Sequence, residues 1–94
     1  MATYEIIFWR DVPAIVEARD ETGTVTRPLS ERFQMLIDSA AMQLGLDGAE
    51  VYIAQWRRGE REQRPGSAAD VADAVVRELE DRFPAFISLA FSRP

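Results

Sequence analysis

The pattern of hydrophobic and polar positions near the N-terminus is a short apolar run, residues 6–9, between polar residues, as in a β-strand. Residues 3–10 are rich in aromatic and β-branched side chains and contain no glycine or proline, which favours a strand over a helix at this length. A turn at Asp11-Val12-Pro13 is expected next, because Pro13 fixes its own φ angle and disfavours a helical conformation at Val12. Residues 14–19 should return as a second, antiparallel strand, and residues 24–26 as a short third one.

Two later segments carry the three-to-four-residue apolar repeat of an amphipathic helix. The first follows Ser30, the expected N-cap, whose hydroxyl should accept a backbone N–H of the first turn, and it ends before Gly45. The second follows Ser67, with Asp70 completing a capping-box pattern, and Pro84 should end it. The apolar stripe of the first helix is Phe33, Leu36, Ile37, Ala40, Ala41 and Leu44. That of the second is Val71, Val75, Leu79 and Phe83, with Ala72 and Val76 beside it.

The other segments complete the fold prediction. Residues 50–57 predict a further strand, and the charged residues 57–66, with two glycines and a proline, predict a mobile loop. Residues 85–91 alternate in hydrophobicity and are either a last strand or an apolar arm on the core. The order β-β-α-β-α, with a possible C-terminal strand, predicts a single α+β domain over residues 1–94. Its architecture should be a two-layer sandwich, with a small, mainly antiparallel sheet and both helices on one face.

Alternation along the strands assigns side chains to the two faces of this sheet. The helix-facing set should be Tyr4, Ile6, Phe8, Ala14, Val16, Ala18, Val51 and Ile53. The opposite face should carry Ile7, Trp9, Ile15, Tyr52 and Trp56. Large apolar side chains on an uncovered sheet face would form a contact surface for a protein partner or for a second copy of the chain. Alternatively, residues 24–26 or 85–91 fold over this face and make it part of the core.

The composition narrows the possible chemistry. The chain has no cysteine, histidine or lysine, and all eleven basic residues are arginine, so the usual general bases, Schiff-base amines and soft metal ligands are missing. The sixteen acidic residues show no spacing typical of a catalytic pair. We therefore expect no catalytic residues, no metal site and no cofactor. The net charge of −5 disfavours nucleic acid and anionic membranes as partners. The absence of a long apolar run or signal-peptide pattern favours the cytoplasm.

An alternative ligand is a small anion, bound by the arginine-rich loop at the start of the second helix, where unpaired N–H groups favour negative charge. The residues predicted for it are Arg57, Arg58, Arg61, Arg64 and Ser67. Glu60 and Glu62 lie among these arginines and favour instead a solvated loop whose charges pair with one another.

Four segments resemble a small family of bacterial proteins called virulence factor domains, after a staphylococcal virulence factor with a similar domain. They are residues 6–14 (Ile-Ile-Phe-Trp-Arg-Asp-Val-Pro-Ala), residues 27–33 (Arg-Pro-Leu-Ser-Glu-Arg-Phe), residues 40–42 and residues 54–57. The resemblance carries no catalytic residue set. It implies an association with cobalamin- and folate-linked one-carbon enzymes, and hence an accessory role. The leading interpretation is a cytoplasmic, non-catalytic interaction or accessory module.

Overall fold

The computed structural model describes residues 1–92 and has the predicted α+β architecture, with an antiparallel sheet and a layer of helices. Within this range there are five strands: β1 (Ala2–Trp9), β2 (Val12–Asp20), β3 (Gly23–Pro28), β4 (Trp56–Arg58) and β5 (Glu62–Arg64). The four helices of the same range are α1 (Glu31–Gln43), α2 (Ala49–Ala54), α3 (Ala68–Asp81) and α4 (Phe83–Ala90). None of these helices is long and apolar enough to cross a membrane.

The strands are ordered β3-β2-β1-β4, and β5 pairs with the other half of the free edge of β1. The β1–β2 ladder contains a bulge, because Ile7 lies opposite Ile15 whereas Phe8 lies opposite Pro13, which leaves Ala14 as an extra residue on β2. Proline is tolerated inside a sheet at such a bulge. The sequence prediction of a turn over residues 11–13 is therefore wrong at its second half: Val12 and Pro13 belong to β2.

The actual turn between β1 and β2 contains only Arg10 and Asp11. Arg10 has a φ angle of 53°, in the left-handed region that side-chain-bearing residues rarely adopt. Its N–H donates to the Gln55 carbonyl at 2.9 Å, and its own carbonyl accepts from Arg57 Nε at 3.0 Å. These contacts hold the strained turn against the segment that leads into β4.

The core lies between the sheet and the helical layer, as predicted. Tyr4 is buried and Ile6 packs against the core from β1, while Val16 and Ala18 are buried on β2. The helices contribute the buried side chains Phe33, Leu36, Ile37, Ala40, Ala41, Val71, Ala72, Val75 and Leu79. This set confirms both helical stripes except at their ends, because Leu44 is only partly buried and Phe83 belongs to the next helix.

The start of α1 differs from its prediction in the role of one hydroxyl. Ser30 occupies the N-cap position, but its hydroxyl donates to Glu80 of α3 at 2.8 Å instead of accepting an N–H of its own helix. The Ser30 N–H donates to the other Glu80 oxygen at 2.6 Å, and Arg32 pairs with the same carboxylate. Glu80 thus links the beginning of α1 to α3.

The end of α1 follows the prediction. Gly45 has a φ angle of 71°, its N–H donates to the Met42 carbonyl, and the Leu46 N–H donates to the Ala41 carbonyl at 2.7 Å. This is the Schellman arrangement, in which a left-handed residue ends a helix and satisfies its last carbonyls. The turn sends the chain directly toward α2.

The strand predicted over residues 50–57 is wrong for most of its length. Residues 49–54 form α2, and only Trp56 to Arg58 join the sheet. In the helix Val51 and Ile53 are exposed and Tyr52 turns toward the core, which is the reverse of the predicted alternation. The short apolar run over residues 51–54 fits either period, and here contacts of Tyr52 with the rest of the fold favour the helix.

The charged segment over residues 57–66 is also more ordered than predicted. β4 and β5 both pair antiparallel with β1, so together they form one edge strand that is interrupted around Gly59. The Gly59 N–H donates to the Ile6 carbonyl at 2.8 Å. This segment is ordered because it pairs with β1, which is distant in sequence, and not because it buries apolar side chains.

The C-terminal segment is a helix rather than the predicted strand or arm. α3 ends at Asp81, and Pro84 lies in the first turn of α4, where its missing N–H costs no hydrogen bond. Phe86 and Ala90 of α4 are buried, and the helix packs against α1 and α3. The apolar residues 83–91 therefore extend the helical layer and do not cover the opposite face of the sheet.

Candidate interaction surfaces

The sheet face that lies away from the helices carries two of the five residues predicted for partner binding. Ile7 and Ile15 are paired across β1 and β2, and the same row of the sheet continues to Pro28 on one side and Arg58 on the other. Both isoleucines are partly exposed, and neither packs against the main core. The neighbouring row is polar, with Thr26, Glu17 and Glu5 in register.

A network of charges covers part of this sheet face. Glu5 and Glu17 lie directly opposite each other, and Arg58 donates to both, at 3.2 Å and 3.3 Å. Arg61 donates to the second oxygen of Glu5 at 3.2 Å. The hydrogen bonds from Arg58 and Arg61 lower the pKa of Glu5. Glu5 and Glu17 are thus paired with arginines of the same chain. This face of the sheet consists of a small apolar area beside a polar area whose charges are paired with one another.

The other three residues predicted for partner binding have different positions. Trp9 is fully buried and its Nε1 donates to the carbonyl of Tyr52 at 3.0 Å, so its expected exposure is wrong. The Tyr52 ring stacks obliquely on Trp9 at 5.6 Å and contacts Trp56 edge-on at 6.2 Å. Tyr52 and Trp56 are partly buried against the core. The helical conformation of residues 49–54 gives Tyr52 a position that strand alternation does not predict, and Tyr52 packs over Trp9. The five residues therefore do not share one exposed surface.

The start of α3 is already occupied by a carboxylate of the chain. The Ser67 hydroxyl caps the helix by accepting the Asp70 N–H at 3.1 Å, as predicted. Asp20, at the end of β2, accepts the Ala68 N–H at 2.7 Å and both the N–H and the hydroxyl of Thr22. The Ala68 hydrogen bond, followed by those from Thr22, lowers the pKa of Asp20 to about 2. An anion at this helix end would have to displace Asp20.

The four arginines predicted for an anion site are likewise engaged within the chain and point to different places. Arg57 lies over the Phe8 ring at 4.4 Å, and Arg64 forms two hydrogen bonds with Glu78 of α3, at 2.7 Å and 3.1 Å. Arg58 and Arg61 belong to the network on the sheet face. The structure does not bring these four side chains and Ser67 together into one pocket.

An apolar groove of about 310 Å³ lies between α1 and α4. It is lined by Arg32, Met35, Leu36, Ser39, Phe83, Ile87 and Phe91. The exposed fraction is 62% for Met35, 41% for Ile87 and 38% for Phe91, and Leu89 on the outer side of α4 is also exposed. Residues 83–92 contain no charged side chain. We call α4 together with this groove the α4 surface.

A second groove, of about 520 Å³, lies between α1 and the segment that contains α2. Its lining consists of Asp38, Ala41, Met42, Asp47 and Tyr52. It combines apolar side chains with two carboxylates, whereas the lining of the α1–α4 groove, over the residues that the structure describes, contains no carboxylate. We call this groove and the adjoining exposed side chains of α2 the acidic surface. The sequence prediction included neither groove apart from Tyr52, because both lie on the helical side.

Two carboxylates of α3 have pKa values that their arginine partners help to lower. Arg64 lowers the pKa of Glu78. Burial acts to raise the pKa of Glu80, but hydrogen bonds from Ser30 and Arg32 together lower it.

Within residues 1–92 there is no group of three metal-ligating side chains that could hold an ion.

A family model described as virulence factor matches residues 7–86. The chain belongs to the virulence factor family. The matched range begins within β1 and ends within α4, so it includes the whole acidic surface, whereas Ile87, Leu89 and Phe91 lie beyond it. Comparison with curated proteins and with solved structures gives no match.

Proposed function

We propose that the protein is a non-catalytic interaction module and that the α4 surface pairs it with a second copy of itself. The observation that carries this proposal is the exposure of apolar side chains on a helix that has no charged residue along its length. A helix that is apolar on all sides is normally buried, whereas the outer half of α4 faces solvent. Covering such a surface with a partner removes apolar area from water and so lowers the free energy of the complex.

Charge favours a second copy as the partner at this surface. Two molecules that each carry a net charge of −5 repel each other, and this repulsion is least where no like charges meet. Within residues 1–92 the α4 surface has no acidic residue, and the one charged side chain of this range that lines its groove, Arg32, is paired with Glu80. In a two-fold arrangement the same patch meets itself, so Ile87 of each copy can enter the α1–α4 groove of the other.

The composition of the chain and the lowered pKa values of its carboxylates support the non-catalytic part of the proposal. The chain has no histidine, cysteine or lysine, and the shifted carboxylates Glu5, Asp20, Glu78 and Glu80 all have lowered pKa values. A general acid would need the opposite shift. The resemblance to virulence factor domains implies an accessory role beside cobalamin- and folate-linked one-carbon enzymes, which are therefore the first larger partners to test for a paired module.

Sedimentation velocity over a range of protein concentrations tests the pairing. The wild-type protein should sediment as a dimer at the upper end of the range, and Ile87→Asp should shift it to a monomer with an unchanged circular dichroism spectrum. Gln63→Asp adds the same charge at an exposed position of β5, remote from α4, and should remain dimeric. A wild-type monomer at every concentration, or a dimer that tolerates Ile87→Asp, contradicts the proposal.

A further inference from the structure

The arginines of the chain are absent from one continuous stretch. Residues 33–56 contain Asp38, Asp47 and Glu50 but no arginine or lysine, so this stretch has three negative and no positive side chains, a net charge of −3. No ion pair within residues 1–92 involves these three carboxylates. Five of the nine carboxylates on the strands and on α3 do have an arginine partner: Glu5, Glu17, Asp73, Glu78 and Glu80.

The same stretch exposes large apolar side chains. Met42 is 71% exposed, Ile53 is 67% exposed and Val51 is 43% exposed. Met42 also lines the groove between α1 and α2, beside Asp38 and Asp47. Methionine is flexible and polarisable, and such side chains adapt to the irregular apolar face of a docked helix. An exposed apolar side chain, Met42, and two carboxylates without an arginine partner in the described range, Asp38 and Asp47, therefore occur together in one groove.

The floor of this groove is held rigidly by the core. Tyr52 packs on the buried Trp9 ring, and its carbonyl accepts the Trp9 Nε1 hydrogen. The Tyr52 hydroxyl accepts from Gln34 of α1 at 3.3 Å, which links α2 to α1. A rigid floor beside one flexible methionine, Met42, lowers the entropic cost of binding, because little of the groove must become ordered.

We infer that the acidic surface binds a basic amphipathic helix of a partner protein. Apolar side chains of that helix at positions i, i+3 or i+4, and i+7 would fill the groove around Met42 and Tyr52. Its lysines or arginines would face Asp38, Asp47 and Glu50, where the attraction raises the association rate and excludes acidic partners. A second copy of this chain does not fit, because it would bring three unpaired carboxylates against three others. An anionic membrane or a nucleic acid is repelled for the same reason.

Fluorescence anisotropy with synthetic peptides tests this inference on the whole protein. The probe is a labelled peptide of about 18 residues, with leucine and lysine arranged as an amphipathic helix. Two reference peptides have the same composition in scrambled order, and the same pattern with glutamate in place of lysine. The patterned basic peptide should bind at least about tenfold more tightly than either reference, and its affinity should fall as salt is added.

Protein variants separate the apolar contribution from the charged one. Met42→Ser, and separately the double variant Asp38→Asn with Asp47→Ser, should each weaken binding of the basic peptide by about tenfold. The matched control, Glu21→Gln with Glu60→Gln, removes two exposed negative charges elsewhere and should leave the affinity unchanged. Equal binding of the scrambled peptide, or full affinity in Met42→Ser, would overturn the inference. Binding to zwitterionic lipid vesicles in place of the peptide would also overturn it, since that would assign the surface to lipid.

The inference is independent of pairing through α4. Titration of the peptide into the Ile87→Asp variant should give the wild-type affinity, because Ile87 lies outside the groove that contains Met42. If the wild-type protein binds the peptide but does not dimerise, the proposal for the α4 surface is wrong. If it dimerises but does not bind the peptide, the proposal for the acidic surface is wrong.

Discussion

The Asp20 carboxylate lies 2.7 Å from the backbone nitrogen of Ala68 and accepts its hydrogen bond. This contact joins the end of β2 to the start of α3, two elements separated by half of the chain. An internal carboxylate thereby takes the place that an external anion would need. The charge of Asp20 is stabilised by these N–H donors and by the positive end of the helix dipole.

The first prediction concerns the pH dependence of this contact. The pKa of Asp20 is about 2 in the folded protein, against 3.8 for an unperturbed aspartate. A lowered folded-state pKa stabilises the fold above the unfolded pKa, and this contribution is lost as the pH falls from about 4 to about 2. Asp20→Ala should therefore lower the melting temperature by several degrees at neutral pH. The difference from the wild type should shrink below about pH 4. A difference that is constant over the whole acid range would mean that the charge of Asp20 plays no part.

The second prediction tests the orientation of α1. Leu36 is buried between α1 and α4, so Leu36→Ala should cost about 2–5 kcal/mol through lost apolar transfer and a residual cavity. Asp38 is exposed, and its one hydrogen-bond donor in the described part of the chain is Gln34 on the same helix, so Asp38→Ala should cost less than about 0.5 kcal/mol. Urea denaturation of the two variants provides the comparison. Similar losses for both would mean that the helix presents a different face to the core.

The third prediction concerns Trp9. Because its ring is fully buried and its Nε1 is hydrogen-bonded, Trp9→Ala should cost about 3–5 kcal/mol of a total near 5–15 kcal/mol. Trp9→Asp should prevent folding, rather than yield a folded monomer. In a Trp56→Phe background the remaining emission of Trp9 should be blue-shifted and protected from iodide. Red-shifted, readily quenched emission would contradict its burial.

The fourth prediction concerns Gly59 in the edge strand. A Cβ at this position would lie 2.9 Å from the Phe8 ring and 3.2 Å from the Ile6 carbonyl, too close for unstrained packing. Gly59→Ala should therefore destabilise the protein by about 1–3 kcal/mol in chemical denaturation. Gly48 provides the control, because nothing lies within 4 Å of its added Cβ and its φ angle is −68°. Gly48→Ala should change stability by less than about 1 kcal/mol. Equal effects of the two substitutions would show that crowding at Phe8 is not the cause.

The sequence alone was sufficient to predict the structure where the local pattern and the tertiary packing favour the same element. The stripe around Leu36 and Ile37, the Gly45 terminator and the Ser67 cap are all confirmed, because each rests on helix periodicity or on backbone chemistry within a few residues. The pairing of β1 with β2 was predictable for a similar reason, since the two strands are adjacent in sequence.

The errors occur where distant contacts decide the structure. Val51, Tyr52 and Ile53 favour a strand by propensity, yet the Tyr52 contacts with Trp9 and Gln34 belong to a helix. α4 is short and almost entirely apolar, so its pattern also fits a strand, while Pro84 indicates equally the end of one helix or the start of another. The interaction surfaces could not be predicted correctly, because Trp9 contacts Tyr52 of α2, a helix that the sequence pattern does not indicate.

The way in which β1 is paired also has a consequence for synthesis on the ribosome. β1 binds β2 within the first twenty residues, but its other edge is completed by β4 and β5, with Thr3 opposite Gln63. While the chain emerges, the meander of β1, β2 and β3 can form early, and one long edge of β1 stays unpaired until about two thirds of the chain has been made. An unpaired edge strand is a template for association with other chains. Completion of the native sheet therefore depends on a late-emerging arginine-rich segment, which covers this edge of β1 once it has been made.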